Sequence, residues 1–464
     1  MTTPVPEELL SRAGLPVAEA AAWAAAVPDP HGPLDVAATA LSQFLTAGQA
    51  LSRRLPGRAG RSAGQQAAHD VLITALDGAR DSFLRVHADA LYDALTGGRT
   101  RSLRLAELLG AAAAQVPGLV PAAADLAAER ARPLPEKEGI EFAQGLLVGH
   151  LLARTRSGRH LIGAMLRPMP EAIDRLAEFR TAGTVDLGPV QVTRHGRAGL
   201  LELRNPRHLN AEDDVTLGPT ECAVDLILLD PDIEIGVIRG GVVDHPRYPG
   251  VRVFGSGLNL TRLYHGQLDF LFYLVRDLGY VHKIYRGIVP PGSGETVAGP
   301  GTGLTGRPGT NPEGTIEKLW MAAVERFAVG GACQLLHVMD HVIATPGARF
   351  FLPARNEGII PGAANLRLPR FVGDRAARQA ILSGREWVAG EPDAALLCDE
   401  VVEPADLDRA LAARIEALTS SGLVNAAANR CTLRAGQEPL DVFREYMAAF
   451  SVEQARCHLS PALV

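Results

Sequence analysis

An α/β core set between two helical regions is the fold class predicted by this 464-residue chain. Three observations carry that prediction. Up to about Thr184, apolar residues recur at three- and four-residue spacing and strand-type alternation is nearly absent. Near Val185 the pattern changes to short alternating stretches punctuated by glycine turns, the mark of strands in an α/β layer. After about Asp399 the helical period returns.

Residues 1–184 are rich in Ala, Leu and Arg and predict a helical domain. Residues 71–76 and 142–148 read as amphipathic helices, with breaks at Val27-Pro-Asp-Pro and Thr96-Gly-Gly98. In the core, residues 185–400, the stretches 190–193 and 199–203 predict a β-hairpin about His195-Gly196. A helix at 224–229 and a strand at 233–238, ended by Gly240-Gly241, complete a ββα unit expected to repeat. Residues 292–314 are dense in Gly, Pro and Thr and read as a surface loop. The last region, residues 401–464, is helical through 410–417 and from Pro439 to Phe450. It is expected to pack on a neighbouring subunit.

Composition narrows the function. With 47% apolar and 21% charged residues the chain can bury a large core. A net charge of −6 removes the basic footprint that nucleic acid requires, and the many arginines, interspersed with acids, are expected mostly on solvated surface. Five cysteines without a Cys-x-x-Cys pair fit free thiols in a reducing compartment. The start, Met1-Thr-Thr-Pro-Val-Pro-Glu-Glu, lacks a basic segment and apolar run, and no apolar stretch is long enough to span a bilayer. A cytoplasmic protein is expected.

Several motifs fail on context. Gly301-Thr-Gly303-Leu-Thr-Gly306 spells a dinucleotide fingerprint but sits in the Pro/Gly stretch instead of between a strand and a helix. His87-Ala-Asp89 imitates part of an iron site, yet residues two apart on a helix do not share a face. His337, Asp340 and His341 have helical spacing, but their Leu, Val, Met and Ile neighbours point to a core or interface element. Gly255-Ser256-Gly257 lacks the flanks of a nucleophile elbow. No metal site is expected.

Two glycine-centred segments remain: Arg252-Val-Phe-Gly-Ser-Gly257-Leu258-Asn259-Leu260 and Ala328-Val-Gly330-Gly331-Ala332-Cys-Gln334-Leu335. Glycine turns let backbone approach a ligand, and a helix opened by such a turn presents N–H groups with no helical partner. Two turns converging in space would offer a pair of donors to one developing oxyanion.

Downstream come Gly358-Ile359-Ile360-Pro361-Gly362, Leu368-Pro-Arg-Phe-Val-Gly373 and Ile381-Leu-Ser-Gly-Arg385. Upstream lies Asn205-Pro206 followed by Asn210-Ala211. In this order the blocks resemble the crotonase (enoyl-CoA hydratase/isomerase) superfamily across residues 185–403. The resemblance implies a spiral of ββα repeats and an oxyanion hole in which the Leu258 and Gly331 amides hold an acyl-CoA thioester oxygen. Hydratases of the superfamily carry two glutamates for proton transfer; the matching positions here are Gln334 and Ala354. Neither moves a proton, so hydration is not expected.

Details are similar to one branch, the cofactor-independent dioxygenases that act on (3,5-dihydroxyphenyl)acetyl-CoA. The similar blocks are residues 205–214, Asp244-His245-Pro-Arg247-Tyr248, Gly257-Leu-Asn-Leu260 and Glu357-Gly-Ile-Ile-Pro-Gly362. This resemblance implies that Glu212, Arg276 and Gln334 contact ring hydroxyls, with Gly330, Ala332, Ile359, Ile360 and Gly362 completing the substrate pocket. By residue type alone, Glu212 is more readily a helix start, Arg276 a surface partner of Asp277, and Gln334 a satisfied core amide. Arg207, His245, Arg247 and Tyr248 are expected to meet CoA phosphates or adenine, together with Ser256, Gly257 and Asn259 of the first turn. The expected reaction needs no metal or organic cofactor, uses O2 as co-substrate, releases CoA, and serves antibiotic precursor synthesis. Rival readings are a thioesterase or isomerase sharing the oxyanion hole, or a catalytically inactive acyl-CoA-binding scaffold. A homotrimer or dimer of trimers is expected. The base for the α-proton is not identified; Glu212 is the nearest by type.

Overall fold

The computed structural model describes residues 7–292, 311, 314–420 and 422–458. The predicted Gly/Pro surface loop and the fingerprint at 301–306 therefore lie almost wholly outside the described residues. Helices dominate up to Ala182, as the periodicity predicts. The longest, Ala63–Thr96, starts where Ser62 and Gln65 cap each other and stops at Gly97, which turns left-handed at φ 61°. Its stripe of Leu72, Leu76, Phe83, Leu84 and Leu91 is buried. The second predicted helix is Phe142–Ala153, apolar on nearly all sides and correspondingly buried.

Among the described residues the core holds ten strands: β1 (Thr184–Asp186), β2 (Val190–His195), β3 (Ala198–Leu203), β4 (Ile235–Gly240), β5 (Leu319–Val324), β6 (Phe327–Val329), β7 (His341–Ala344), β8 (Arg349–Phe351), β9 (Glu386–Val388) and β10 (Glu400–Val401). Seven form one sheet in the order β1-β2-β3-β4-β5-β7-β10; the others form a second, β6-β8-β9. The predicted hairpin is β2–β3, paired antiparallel from Val190 with Leu203 to His195 with Ala198. From β3 onward the large sheet is parallel, and the helix Asp214–Leu229 makes the crossover from β3 to β4. β5 is buried at all six positions, which is why it reads as an unbroken apolar run and not as an alternation.

Three features of the sequence now find their places. The region after Asp399 is helical, but its last helix, Leu440–His458, packs along Phe142–Ala153 of the same chain. Arg444 Nη1 donates to Leu152 O at 2.6 Å and Arg159 Nε to Asp441 at 2.9 Å, so this helix seals the N-terminal region. His337, Asp340 and His341 do not share a helix: Gly331–Leu336 ends before them and His341 opens β7. Asp340 instead accepts from Trp320 N at 2.8 Å, joining β5 to the turn before β7. His87 and Asp89 also part, the first bonding Pro30 O at 2.7 Å and the second taking the Ser157 hydroxyl.

Nor are the arginines all at the surface. Arg276, Arg286, Arg367, Arg434 and Arg444 are buried, and Arg276, Arg367 and Arg434 pair with acids far away in sequence. Glu438 receives Arg367 (3.0 and 2.9 Å) and Arg370 (2.8 Å); Glu317 receives Arg430 (2.9 Å) and Arg434 (2.8 Å). Burial raises the Glu438 carboxyl, but Arg367 and its neighbours outweigh that and lower it. Its contribution is therefore present above the ordinary carboxylate range and lost as pH falls through the lowered value. Glu438→Ala should cost ~3–5 kcal/mol in urea unfolding, because it leaves Arg367 buried without its partner. A loss below about 1 kcal/mol would show that water takes over as partner.

Cys222, Cys333, Cys398 and Cys457 are free thiols. Among the described residues no helix is long and apolar enough to cross a membrane, and no cluster of three metal-type ligands occurs.

Candidate active site

Both glycine turns are positioned by backbone pairing to neighbours distant in sequence. Asn210 adopts φ 56°, and its side chain donates to Gly241 O (3.0 Å) and Val253 O (2.7 Å), fixing the loop after β3. Just beyond, Glu212 N donates to Gly257 O (2.7 Å) and Asn259 N to Glu212 O (2.8 Å), so that Glu212 and Leu258 form a parallel bridge. A second parallel bridge joins Gly255 to Ala328, with Val329 N donating to Gly255 O at 3.0 Å. The turns are thereby laced side by side. A Cβ placed on Gly257 would lie 3.0 Å from Gly331 N.

Gly331 begins a helix, so its N–H has no helical acceptor. Among the described residues, neither the Leu258 nor the Gly331 N–H donates to a protein acceptor. Both residues line one cavity. Two unspent backbone donors in a confined space are what an oxyanion hole requires.

A polar cluster forms another wall. Arg276, on Leu271–Leu278, is 3% exposed and reaches two other segments at once. Its guanidinium forks onto the Glu212 carboxylate, donates from Nη1 to Gln334 Oε1 at 3.0 Å, and from Nη2 to Gly331 O at 2.7 Å. Tyr280 donates its hydroxyl to Glu212 at 3.0 Å and lies under the guanidinium, 5.5 Å from ring centre to Cζ. Burial disfavours the arginine charge, but Glu212, Tyr280 and Asp277 outweigh it and raise the Arg276 pKa. Burial likewise raises Tyr280, which therefore stays a donor. Asp277, raised chiefly by burial, accepts from Ala363 N at 3.1 Å.

The remaining walls are largely apolar: Phe272, Tyr273, Leu352, Ala354, Ile359 and Ile360, with Gly362 beside them. Glu357 also lines the cavity. Burial alone pushes its carboxyl up to about 7, and among the described residues it has no hydrogen bond or ion pair.

A (3,5-dihydroxyphenyl)acetyl-CoA 1,2-dioxygenase of Amycolatopsis orientalis is 45% identical over 402 residues, 86% of this chain and 88% of that protein. This chain is a crotonase. The profile of the enoyl-CoA hydratase/isomerase family matches residues 314–445. A probable enoyl-CoA hydratase of Rhizobium meliloti (strain 1021) is 29% identical over 214 residues, 46% of this chain and 68% of that protein. Among solved structures, an enoyl-CoA hydratase from Mycobacterium avium subsp. paratuberculosis K-10 aligns with a TM-score of 0.46 at 18% identity, over 60% of this chain and 94% of that one.

In this crotonase the cavity gathers Leu258, Gly331, Glu212, Arg276, Gln334, Gly330, Ile359, Ile360 and Gly362 of the residues expected from sequence. Ala332 is not among them: it is 2% exposed, and its methyl packs behind the first turn against Gly255. Asn259 is also spent elsewhere. Its amide donates to Asp213 at 2.9 Å and its oxygen caps the short helix Leu260–Tyr264, so its side chain is not offered to CoA.

Arg207, His245, Arg247 and Tyr248 line no part of the cavity. They cluster outside the first turn, where Asp244 N donates to Pro206 O at 3.1 Å and Arg247 sits 5.6 Å over the Tyr248 ring. Ser256 links this patch to the turn by donating to His208 O at 3.0 Å. Sequence reasoning missed Tyr280, Asp277, Tyr273 and Glu357. The signal for Glu357 was one acid standing just before the helix-stopping Gly358 and the apolar Ile359-Ile360-Pro361.

Proposed function

We propose that this crotonase is a dioxygenase that converts (3,5-dihydroxyphenyl)acetyl-CoA and O2 to (3,5-dihydroxyphenyl)glyoxylate and CoA, without metal or organic cofactor. One observation carries the reading: the unspent Leu258 and Gly331 amides share a small cavity with the Glu212–Arg276–Gln334 cluster. The Amycolatopsis orientalis relative supports the choice of substrate.

The α-carbon of an arylacetyl thioester is acidified by both ring and carbonyl. Loss of its proton puts negative charge on the thioester oxygen, where each amide donor contributes ~2.7–4 kcal/mol in a dry site. Glu212, Arg276 and Gln334 hold the ring hydroxyls and keep the ring coplanar with the enolate. Leu258, Ile359 and Ile360 keep water out and leave an apolar space for O2. The enolate gives one electron to O2, and the resulting pair combines to a peroxide on the α-carbon. The distal oxygen attacks the thioester carbonyl and expels CoA as thiolate. Cleavage of the O–O bond with loss of the second α-hydrogen then leaves the keto acid. Arg207, His245, Arg247 and Tyr248 provide the surface for the CoA nucleotide. Assembly as a trimer or a pair of trimers belongs to the same reading.

The test is anaerobic incubation with the thioester and a metal chelator, followed by admission of air. Free thiol should appear only after air, in one-to-one stoichiometry with oxygen consumed. Thiol released without oxygen would identify a hydrolase. Neither signal would leave an isomerase or a binding scaffold.

A further inference from the structure

We infer that Glu357 is the general base that removes the α-proton of the bound thioester, an assignment that rests on the function proposed above. Three carboxylates line the cavity. Glu212 is occupied by Arg276 and Tyr280, and Asp277 by Ala363 N with Arg276 Nη1 at 3.7 Å. Glu357 alone among these three has no partner. A base must have a lone pair to spend, and a carboxylate already accepting from a guanidinium and a phenol is a poor acceptor for a carbon-bound proton.

Its setting explains why it is free. The short helix Ala354–Glu357 stops at Gly358, left-handed at φ 67°, and the chain then runs through Ile359 and Ile360 along the cavity wall. Gln454 of the last helix accepts from Ile360 N at 2.9 Å and pins that wall from behind. The groups facing Glu357 are few. Tyr273 belongs to Leu271–Leu278, and its hydroxyl lies 3.4 Å from His458 Nδ1. Burial pushes His458 down to about 4, and Glu141 lies 3.8 Å behind it. Glu212, Arg276 and Asp277 line the same cavity, while Arg355 on Glu357's own helix is turned to Leu382 O. No cation pairs with Glu357 among the described residues, and burial places its titration near neutrality, where a base is most useful.

The step balances. The C–H bond breaks, its electron pair passes into the thioester carbonyl, and the proton moves to a Glu357 oxygen while the Leu258 and Gly331 amides hold the enolate. When the peroxide expels CoA, that proton goes to the departing thiolate and Glu357 is ionised again. The second α-hydrogen leaves as a proton when the O–O bond breaks.

The experiment follows exchange of the α-hydrogens with D2O, without oxygen, by mass spectrometry, alongside oxygen uptake in air. Glu357→Gln should lower both exchange and uptake by about 10²–10⁴-fold. It should still bind a non-reactive CoA thioester. Because only the ionised carboxylate accepts a proton, wild-type kcat/KM should rise with pH through about 7. The Gln variant should lose that rise, and Glu357→Asp should recover part of the rate. The Gln variant removes a charge that burial disfavours, so above neutral pH it should melt no lower than wild type. Exchange in Glu357→Gln within about threefold of wild type would overturn the assignment. Wild-type exchange without oxygen uptake would instead end the dioxygenase reading and leave the role of Glu357 to be decided by exchange alone. A wild type that neither exchanges nor consumes oxygen would overturn both.

Discussion

Gly257→Ala is expected to abolish oxygen-dependent thioester cleavage while leaving a folded protein. Gly257 sits at φ 79°, and a Cβ there would meet Val329 O at 2.7 Å, Gly331 N at 3.0 Å and Gly330 Cα at 3.2 Å. All three are backbone atoms, so no flexible side chain can yield. The left-handed conformation alone costs an alanine ~1–2 kcal/mol, which a protein of this size tolerates. The contact with Gly331 N is the decisive effect. It pushes apart the two amides proposed to hold one oxygen, and losing a single donor of that kind costs ~10²–10³ in rate. Gly347→Ala is the control: φ is 74°, but nothing lies within 4 Å of the added carbon. That variant pays the conformational cost and should keep its rate. Anaerobic α-hydrogen exchange reads the effect directly. Near-wild-type exchange in Gly257→Ala would mean that these amides do not stabilise the enolate.

Local pattern made the layers legible, and long-range compensation hid the rest. The β2–β3 hairpin, the crossover helix before β4 and the long N-terminal helices each follow from a period of 2 or 3.6 within one segment. What the last helix packs against was not legible. An amphipathic face in Leu440–His458 requires a partner, but nothing local says that the partner is Phe142–Ala153 of its own chain. The buried arginines were hidden for the same reason. Arg367 reads as a surface residue until Glu438, 71 positions away, is seen to neutralise it. His337 and His341 keep helical spacing, yet the demand for a strand beside β5 overrides it.

The site divides along the same line. Glu212 and Gln334 stand 64 and 58 positions from Arg276, so only the resemblance to known crotonases could propose their meeting. Ala332 was misplaced because a residue inside the motif need not face the cavity: the helix opened by Gly331 turns its methyl into the core. Glu357 was overlooked because what distinguishes it is its surroundings. An unpaired carboxylate becomes a candidate only when burial, an open wall and the absence of a cation coincide.

Arg276→Met should remove discrimination between hydroxylated and plain aryl rings, and a compensating substitution should separate that effect from instability. The guanidinium joins Glu212 on one segment to Gln334 and the Gly331 carbonyl on another, the helix Gly331–Leu336. Removing it leaves Glu212 in the cavity wall with only the Tyr280 hydroxyl, and breaking a buried pair from one side costs ~3–5 kcal/mol. Lysine does not repair this, since a point charge cannot reproduce the fork onto a carboxylate. For (3,5-dihydroxyphenyl)acetyl-CoA, kcat/KM should fall by ~10²-fold or more, as a charge-assisted hydrogen bond contributes ~1.5–3 kcal/mol and more than one is lost. For phenylacetyl-CoA, which has no hydroxyls to hold, the fall should be smaller and limited to whatever Gly331 loses in positioning. Adding Glu212→Gln to Arg276→Met removes the stranded charge, so stability should return by ~1–3 kcal/mol more than the single changes sum to. Discrimination should not return with it. If the double variant regains preference for the dihydroxy ring, the cluster supports the fold alone and the ring is read elsewhere. If stability returns and preference does not, Arg276 and Glu212 read the ring.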